Sequence, residues 1–193
     1  MSGGQILRLL KEQTATQHAR VERAFDLPRR LQSSDSYAEL LTIFYRLYLP
    51  LEQRLNALAD DLPDVSWPTR RKAPKLLADL KTIGRKPEEI VPASDLPSVS
   101  RPADVYGCLY VMEGATLGGQ IIRRAVAAQL GYSADHGCAF FSGYGDRGGE
   151  MWEQFRTALT RFADTAEREQ AVLAAATATF ETFRRHLAEA PPQ

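Results

Sequence analysis

Residues 110–124 read YVMEGATLGGQIIRR, a stretch with the apolar spacing of a helix and with Gly114, Gly118 and Gly119 in its interior. Each interior glycine costs a helix about 0.8–1.0 kcal/mol relative to alanine, roughly 2.5–3 kcal/mol for three, so something must approach the bare backbone closely enough to offset that. Two readings satisfy the requirement. Another helix can lie against the smooth strip that Gly114 and Gly118 make on one face. Alternatively, a flat ligand can cross the helix there, with Gly119 letting the helix bend around it. Spacing alone leaves both open.

Working outward, Ser100 and Pro102 start this helix, which continues through Leu109, Ile121, Val126 and Leu130 to a stop at Gly131. Upstream, Gln5 to Phe25 shows helical intervals at Ile6, Leu9, Leu10, Val21 and Phe25, and Pro28 closes it. A second helix is expected over Tyr37–Ala59, capped by Ser36 with Glu39 and kinked at Pro50. A third, more basic one is expected over Thr69–Ile83, stopped by Gly84. Residues 85–101, with Pro87, Pro92 and Pro97, read as an extended surface loop. HGCAFFSGYGDRGG, residues 136–149, reads as loop with a short turn, before two last helices at Glu150–Phe162 and Thr165–Glu189. The last contains AVLAAATATF, whose small side chains offer little bulk. No strand alternation of useful length appears, so the class is all-α.

The 193 residues suit one domain over 1–193, with flexible tails expected at 1–4 and 190–193. Lys plus Arg total 24 and Asp plus Glu total 24, so there is no long-range field to draw in nucleic acid or an anionic membrane. A bound anion must therefore meet a local cluster of cations. Cys108 and Cys138 form no CxxC pair and have no histidines at zinc-finger spacing, which fits reduced thiols in cytoplasm. The N-terminal stretch carries charges within its apolar run and lacks a cleavage site, and no continuous apolar segment approaches the ~18 residues of a membrane span.

His18, His136 and His186 are the histidines available for chemistry. His186 sits beside Arg184 and Arg185 in a last helical turn, a structural position. His136 stands in a polar loop without a partner at useful spacing. His18 is mid-helix, with Glu22 one turn later and Lys11 two turns earlier on the same face. A metal-bound imidazole usually gives its second N–H to an acceptor, and Glu22 has the spacing to take it. A core histidine is the alternative. Combined with the glycines, an imidazole on one helix and bare backbone on another is the arrangement that would hold a haem, whose propionates would need cations such as Lys11 and Arg156 and a hydroxyl such as that of Tyr110. No histidine has Glu three residues before it, the positions being Ala15, Ser133 and Phe183, which disfavours a di-iron bundle.

LKEQTATQH followed by ARVE resembles the proximal-helix motif of haem oxygenases, and EGATLGGQII resembles their distal-helix motif. YVMEGATLGG with FFSGYGDRGGEMWEQF is most similar to the bacterial branch, including the haem oxygenases found with bacterial phytochromes. The resemblance runs from about Leu7 to Leu187. It implies a single-domain helical fold with haem b, as both cofactor and substrate, sandwiched between a proximal and a distal helix. His18 would ligate the iron, Glu22 would hold that imidazole, and Gly114 and Gly118 would lie over the ring, with Gly119 completing the glycine pair of the cofactor-binding residues. Lys11, Tyr110 and Arg156 would contact propionates.

Where animal members carry an aspartate after the first distal glycine, this chain has Ala115, as bacterial relatives also lack the acid; Thr116 or main-chain carbonyls freed by the glycines are then expected to organise water. The implied activity is oxidative cleavage of haem to biliverdin with release of CO and ferrous iron, using O2 and external electrons. A haem protein that stores, senses or delivers the ring without oxidising it is the alternative, and a helical interaction module is a further one. There is no GxGxxG for a flavin or nicotinamide, so a ferredoxin or reductase must supply electrons. Such a donor is expected to dock near the haem edge, with Arg70, Arg71 and Lys72 as its basic patch unless they form a solvated helix face. A bacteriophytochrome is the implied biliverdin acceptor.

Overall fold

The computed structural model describes residues 5–59 and 62–189. The tails expected at 1–4 and 190–193 lie outside the described residues. The helices are α1 (Gln5–Gln13), α2 (Ala15–Phe25), α3 (Leu27–Arg30), α4 (Ser34–Ala59), α5 (Ala73–Thr82), α6 (Pro102–Leu130), α7 (Ala139–Ser142), α8 (Gly148–Phe162) and α9 (Ala166–Ala188). Among the described residues no strand forms, in keeping with the all-α expectation.

The first expected helix is broken in two. The Thr14 hydroxyl donates back to the Leu10 carbonyl at 2.7 Å, and the backbone departs from helical angles there, with φ −101° and ψ 5°. Such back-bonding by threonine competes with the helix ladder and bends the chain. Asp26, at φ 44°, then ends α2 in a left-handed conformation that aspartate tolerates better than most residues. α4 begins earlier than expected because Ser33, rather than Ser36, is the cap: its Oγ accepts the Ser36 N–H at 3.1 Å. Pro50 lies inside α4, as expected.

The third expected helix starts late. Thr69 belongs to a 3₁₀ turn, Trp67–Arg70, and α5 begins only at Ala73. A carboxylate from elsewhere sets that start: Glu52 on α4 accepts the N–H groups of Lys72 at 2.6 Å and Ala73 at 3.0 Å. Asp79 does the same for α7, accepting from Ala139 and Phe140 at 2.8 Å each. Both are N-terminal caps supplied from a distance, which satisfy donors that no intrahelical carbonyl can reach.

At the centre of the bundle α9 carries α2 on one side and α6 on another. Its small residues make this possible. A Cβ added at Gly107 on α6 would lie 2.5 Å from the Ala175 Cβ and 2.6 Å from the Val172 carbonyl oxygen, so the two backbones meet with nothing between them. Beside that contact Cys108 Sγ and Thr179 Oγ1 pair at 3.3 Å. The loop over 85–101 is strapped to the bundle: Ala93 N–H donates to the Arg46 carbonyl at 2.9 Å, and Asp95 pairs with Arg185 at 2.7 Å and with His186 Nε2 at 2.9 Å. His186 thus holds the loop, the structural role its position suggested.

Because the atoms facing Gly107 include backbone that cannot move aside, Gly107→Ala should lower stability by about 2–3 kcal/mol in chemical denaturation, the upper part of the range for overpacking a core. A variant that unfolds at the wild-type denaturant midpoint would show that α6 and α9 are not in close contact.

Candidate functional site

The four glycines of α6 divide into two kinds. Gly107 and Gly119 are packing glycines, since a Cβ at Gly119 would lie 2.6 Å from the Phe141 carbonyl oxygen on α7. At Gly114 and Gly118 an added Cβ would meet nothing within 4 Å. The helix-packing reading of the Gly114–Gly118 strip therefore fails, and the helix-packing contact of α6 lies at Gly107 instead. The assignment of Gly119 to a ligand is also corrected: it stands about 140° around the helix from Gly114 and is covered by α7.

Around the two open glycines the helix is apolar and uncovered. Leu117 is 48% exposed and Ile121 71%, both among the most exposed large apolar side chains of the described residues. Positions 114, 117, 118 and 121 share one face at helical spacing, and Tyr110 begins it one turn earlier. An exposed apolar stripe with bare backbone at its centre marks a surface built to be covered.

α2 meets this part of α6 at both ends, near Tyr110 and through Phe141. The His18 imidazole is 58% exposed, so the core-histidine reading does not hold. Its ring stands edge-on to Phe180 of α9, with centroids 5.8 Å apart and planes at 77°. Nδ1 lies 3.6 Å from Glu22 Oε1, longer than a hydrogen bond but directed so that Nδ1 is the nitrogen Glu22 addresses. Nε2 is left as the nitrogen available to a metal.

The ends of the interval between α2 and α6 are defined by aromatic contacts. At one end Tyr110 lies close to Thr14, and burial raises its phenol pKa, with the Thr14 hydroxyl opposing the shift. Trp152 of α8 packs on Tyr110 with centroids 6.1 Å apart. Lys11, exposed, precedes Thr14 by one turn, and Arg156 follows Trp152 by one turn, half-exposed and paired with Glu153 at 2.8 Å. Each cation thus stands one turn from a residue that meets Tyr110. At the other end Phe25 of α2 meets Phe141 of α7, centroids 6.3 Å apart, and Phe141 is the residue under Gly119. The Tyr110 hydroxyl makes one end polar, while the Phe25–Phe141 pair makes the other aromatic.

Two sequence expectations are corrected here. Thr116 stands about 200° around α6 from Gly114. Its hydroxyl donates to the Glu113 carbonyl at 2.6 Å and its side chain lies against Gly143, so it does not face the open stripe. Arg70, Arg71 and Lys72 do not form an exposed basic patch. Arg70 and Lys72 are buried and both bind the Glu113 carboxylate, at 2.7 Å and 2.5 Å; only Arg71 is exposed. Glu113 escaped the sequence reading, although a carboxylate flanked by Val111, Met112 and Gly114 on a helix this apolar signals a buried charge that needs cations.

A family model described as "Heme oxygenase" matches residues 4–189. A curated relative, the heme oxygenase of Xanthomonas campestris pv. campestris (strain 8004), is 32% identical over 160 residues, covering 82% of this chain and 93% of that protein. The heme oxygenase of Leptospira interrogans superposes with a TM-score of 0.80 at 23% identity, covering 95% of this chain and 98% of that one. Heme oxygenase-1 of the cyanobacterium Synechocystis, solved in complex with heme, gives a TM-score of 0.78 at 17% identity, with 95% of this chain and 91% of that one covered. At those identities the structural likeness shows the fold alone.

Because no atom faces them, Gly114→Ala and Gly118→Ala should each stabilise the ligand-free protein by about 0.5–1 kcal/mol, the helix-propensity gain of alanine over glycine. A loss of stability in calorimetry would mean that these glycines are packed after all.

Proposed function

The chain belongs to the haem oxygenase family and is an oxidoreductase acting on haem, and from that premise we propose that the ring lies between α2 and the open stripe of α6, to be cleaved to biliverdin with release of CO and ferrous iron. The observation that carries this placement is the empty space over Gly114 and Gly118, where a flat ligand can approach main chain that any side chain would cover. Haem, when bound, supplies the iron at which O2 is activated and the macrocycle that is opened.

The residues fit such a ring. His18 presents Nε2 as the iron ligand while Glu22 orients the imidazole from the Nδ1 side. A neutral imidazole donates less electron density to iron than a thiolate does, which suits an oxygenase that attacks its own ring rather than cleaving O–O early. Leu117 and Ile121 cover the macrocycle, and Lys11, Arg156 and the Tyr110 hydroxyl receive the propionates at the polar end. The Ala115 side chain has no acidic proton, and Thr116 faces away, so the polar groups left on the stripe are the main chain of Gly114 and Gly118 and the Tyr110 hydroxyl. A helical carbonyl keeps a second lone pair for water, and without a side chain over it that lone pair is reachable.

Electrons come from outside the chain, from a ferredoxin or reductase, since no nucleotide-binding motif is present. With Arg70 and Lys72 buried, that donor docks elsewhere than their segment. The motifs shared with phytochrome-associated relatives support a bacteriophytochrome as acceptor of the biliverdin. No helix among the described residues is long and apolar enough to cross a membrane, and Cys108 and Cys138 are buried free thiols.

Haem added to the purified protein should give a Soret band. His18→Ala should weaken binding beyond the roughly 10–100-fold typical of losing an outer-shell partner of a metal, and Glu22→Ala should weaken it within that range. With a reductase or ascorbate, O2 and catalase present, the wild type should turn over to a biliverdin spectrum. A stable haem complex that does not turn over would instead identify a carrier, and a Soret band unaffected by His18→Ala would overturn the assigned ligand.

A further inference from the structure

Glu113 precedes Gly114 directly, and its side chain leaves α6 about 100° around from Gly114, into the protein. The carboxylate is buried and fully engaged. Oε2 accepts Arg70 Nη1 at 2.7 Å; Oε1 accepts Lys72 Nζ at 2.5 Å and the Tyr144 hydroxyl at 2.7 Å. Arg70 in turn donates to the Val65 carbonyl, and to the Met151 carbonyl at 3.1 Å and 3.2 Å. Lys72 and Lys75 stand over the Tyr144 ring, 5.2 Å and 5.8 Å from its centroid. One side chain of α6 is thereby tied to the segment before α5, to the glycine-rich turn around Tyr144 and to the first turn of α8.

The main chain is gripped at the same place, because the Thr116 hydroxyl donates to the Glu113 carbonyl. Six residues further on, Gly119 is pressed against the Phe141 carbonyl. The stretch 114–118, glycine at both ends and open to the ligand, is therefore held at each end by contacts on other sides of the helix. Buried ion networks add little net stability over well-packed apolar side chains, but here each charge meets its partners only with α6 at this height.

We propose that Glu113, held by Arg70, Lys72 and Tyr144, is a positioning residue for haem cleavage, fixing the height of the Gly114–Gly118 main chain over the ring. The proposal rests on the haem oxygenase reading. It concerns turnover and its regiochemistry rather than affinity, because the network touches none of the residues assigned to hold the iron or the propionates. A backbone displaced by a fraction of an ångström changes which ring position is attacked and how well the reacting groups align.

Two variants test it. Tyr144→Phe removes one donor without changing the charge balance, and Glu113→Gln keeps the shape of the side chain but removes its charge. In haem-free Tyr144→Phe, hydrogen exchange of the amides of residues 114–118 should quicken by about tenfold while the rest of α6 and α9 stays protected, a local opening rather than a global one. Haem affinity by Soret titration should stay within about twofold, while kcat should fall by about tenfold or more, as misplacement of reacting groups predicts, and the biliverdin isomers should become more mixed. Glu113→Gln should move every readout further in the same direction.

Unchanged exchange and unchanged kcat in both variants would overturn the proposal. So would parallel losses of protection in every helix and of haem affinity, which would make the network merely structural. The exchange measurement needs no haem, so a wild type that fails to turn over would count against the haem reading, and exchange would still decide whether Glu113 pins the helix.

Discussion

The close approach of α6 to α9 at Gly107 is the constraint on which the rest of the molecule depends. With backbone against backbone there, α9 can support α6 and α2 together, and the interval between them has a floor that includes Phe180 beneath His18. The small residues of α9 around Ala175 and Ala176 are what permit the contact; a larger side chain at Gly107 would push α6 outward and widen the interval. The proposed site is therefore set by how three helices pack, and the residues proposed to bind haem occupy the faces that packing leaves open.

The open stripe of α6 raises a physical difficulty. A helix with glycines at 114, 118 and 119 gives up roughly 2.5–3 kcal/mol of intrinsic stability, and a surface built for a ligand gains nothing from packing while the ligand is absent. Contacts on the other sides of the same helix hold its geometry. Gly119 converts its deficit into contact with α7, and Glu113 ties α6 to buried cations from the segment before α5. Burial alone would push the Lys72 ammonium towards its neutral form, lowering its pKa, and the Glu113 carboxylate opposes that. Burial and the same carboxylate raise the pKa of Tyr144, so its hydroxyl remains a donor.

Much of the fold, including the helices that carry His18 and the α6 glycines, was legible in the sequence, and most of the misreadings share one cause. Helical spacing located α6 between its proline start and Gly131, and the pairing of His18 with Glu22 at one turn is a local relation that sequence can express. Which glycine packs and which stays open depends on what lies across from each, and α7 sits opposite Gly119 for reasons written some twenty residues away. Thr116 could have been excluded by counting around the helix, because two residues carry it to the far side. Arg70 and Lys72 read as a surface patch because their partner, Glu113, lies more than forty residues on. The late start of α5 has the same origin, in a carboxylate on α4. Local patterns were readable; long-range polar partners were not.

Gly114 and Gly118 are proposed to face the macrocycle opposite His18. A crystal structure of the haem complex tests that placement most directly. The iron should be bound by His18 Nε2, with the ring in van der Waals contact with the main chain of Gly114 and Gly118 and its propionates towards Lys11 and Tyr110. A ring bound through His136 or His186, or one seated away from these two glycines, would contradict it.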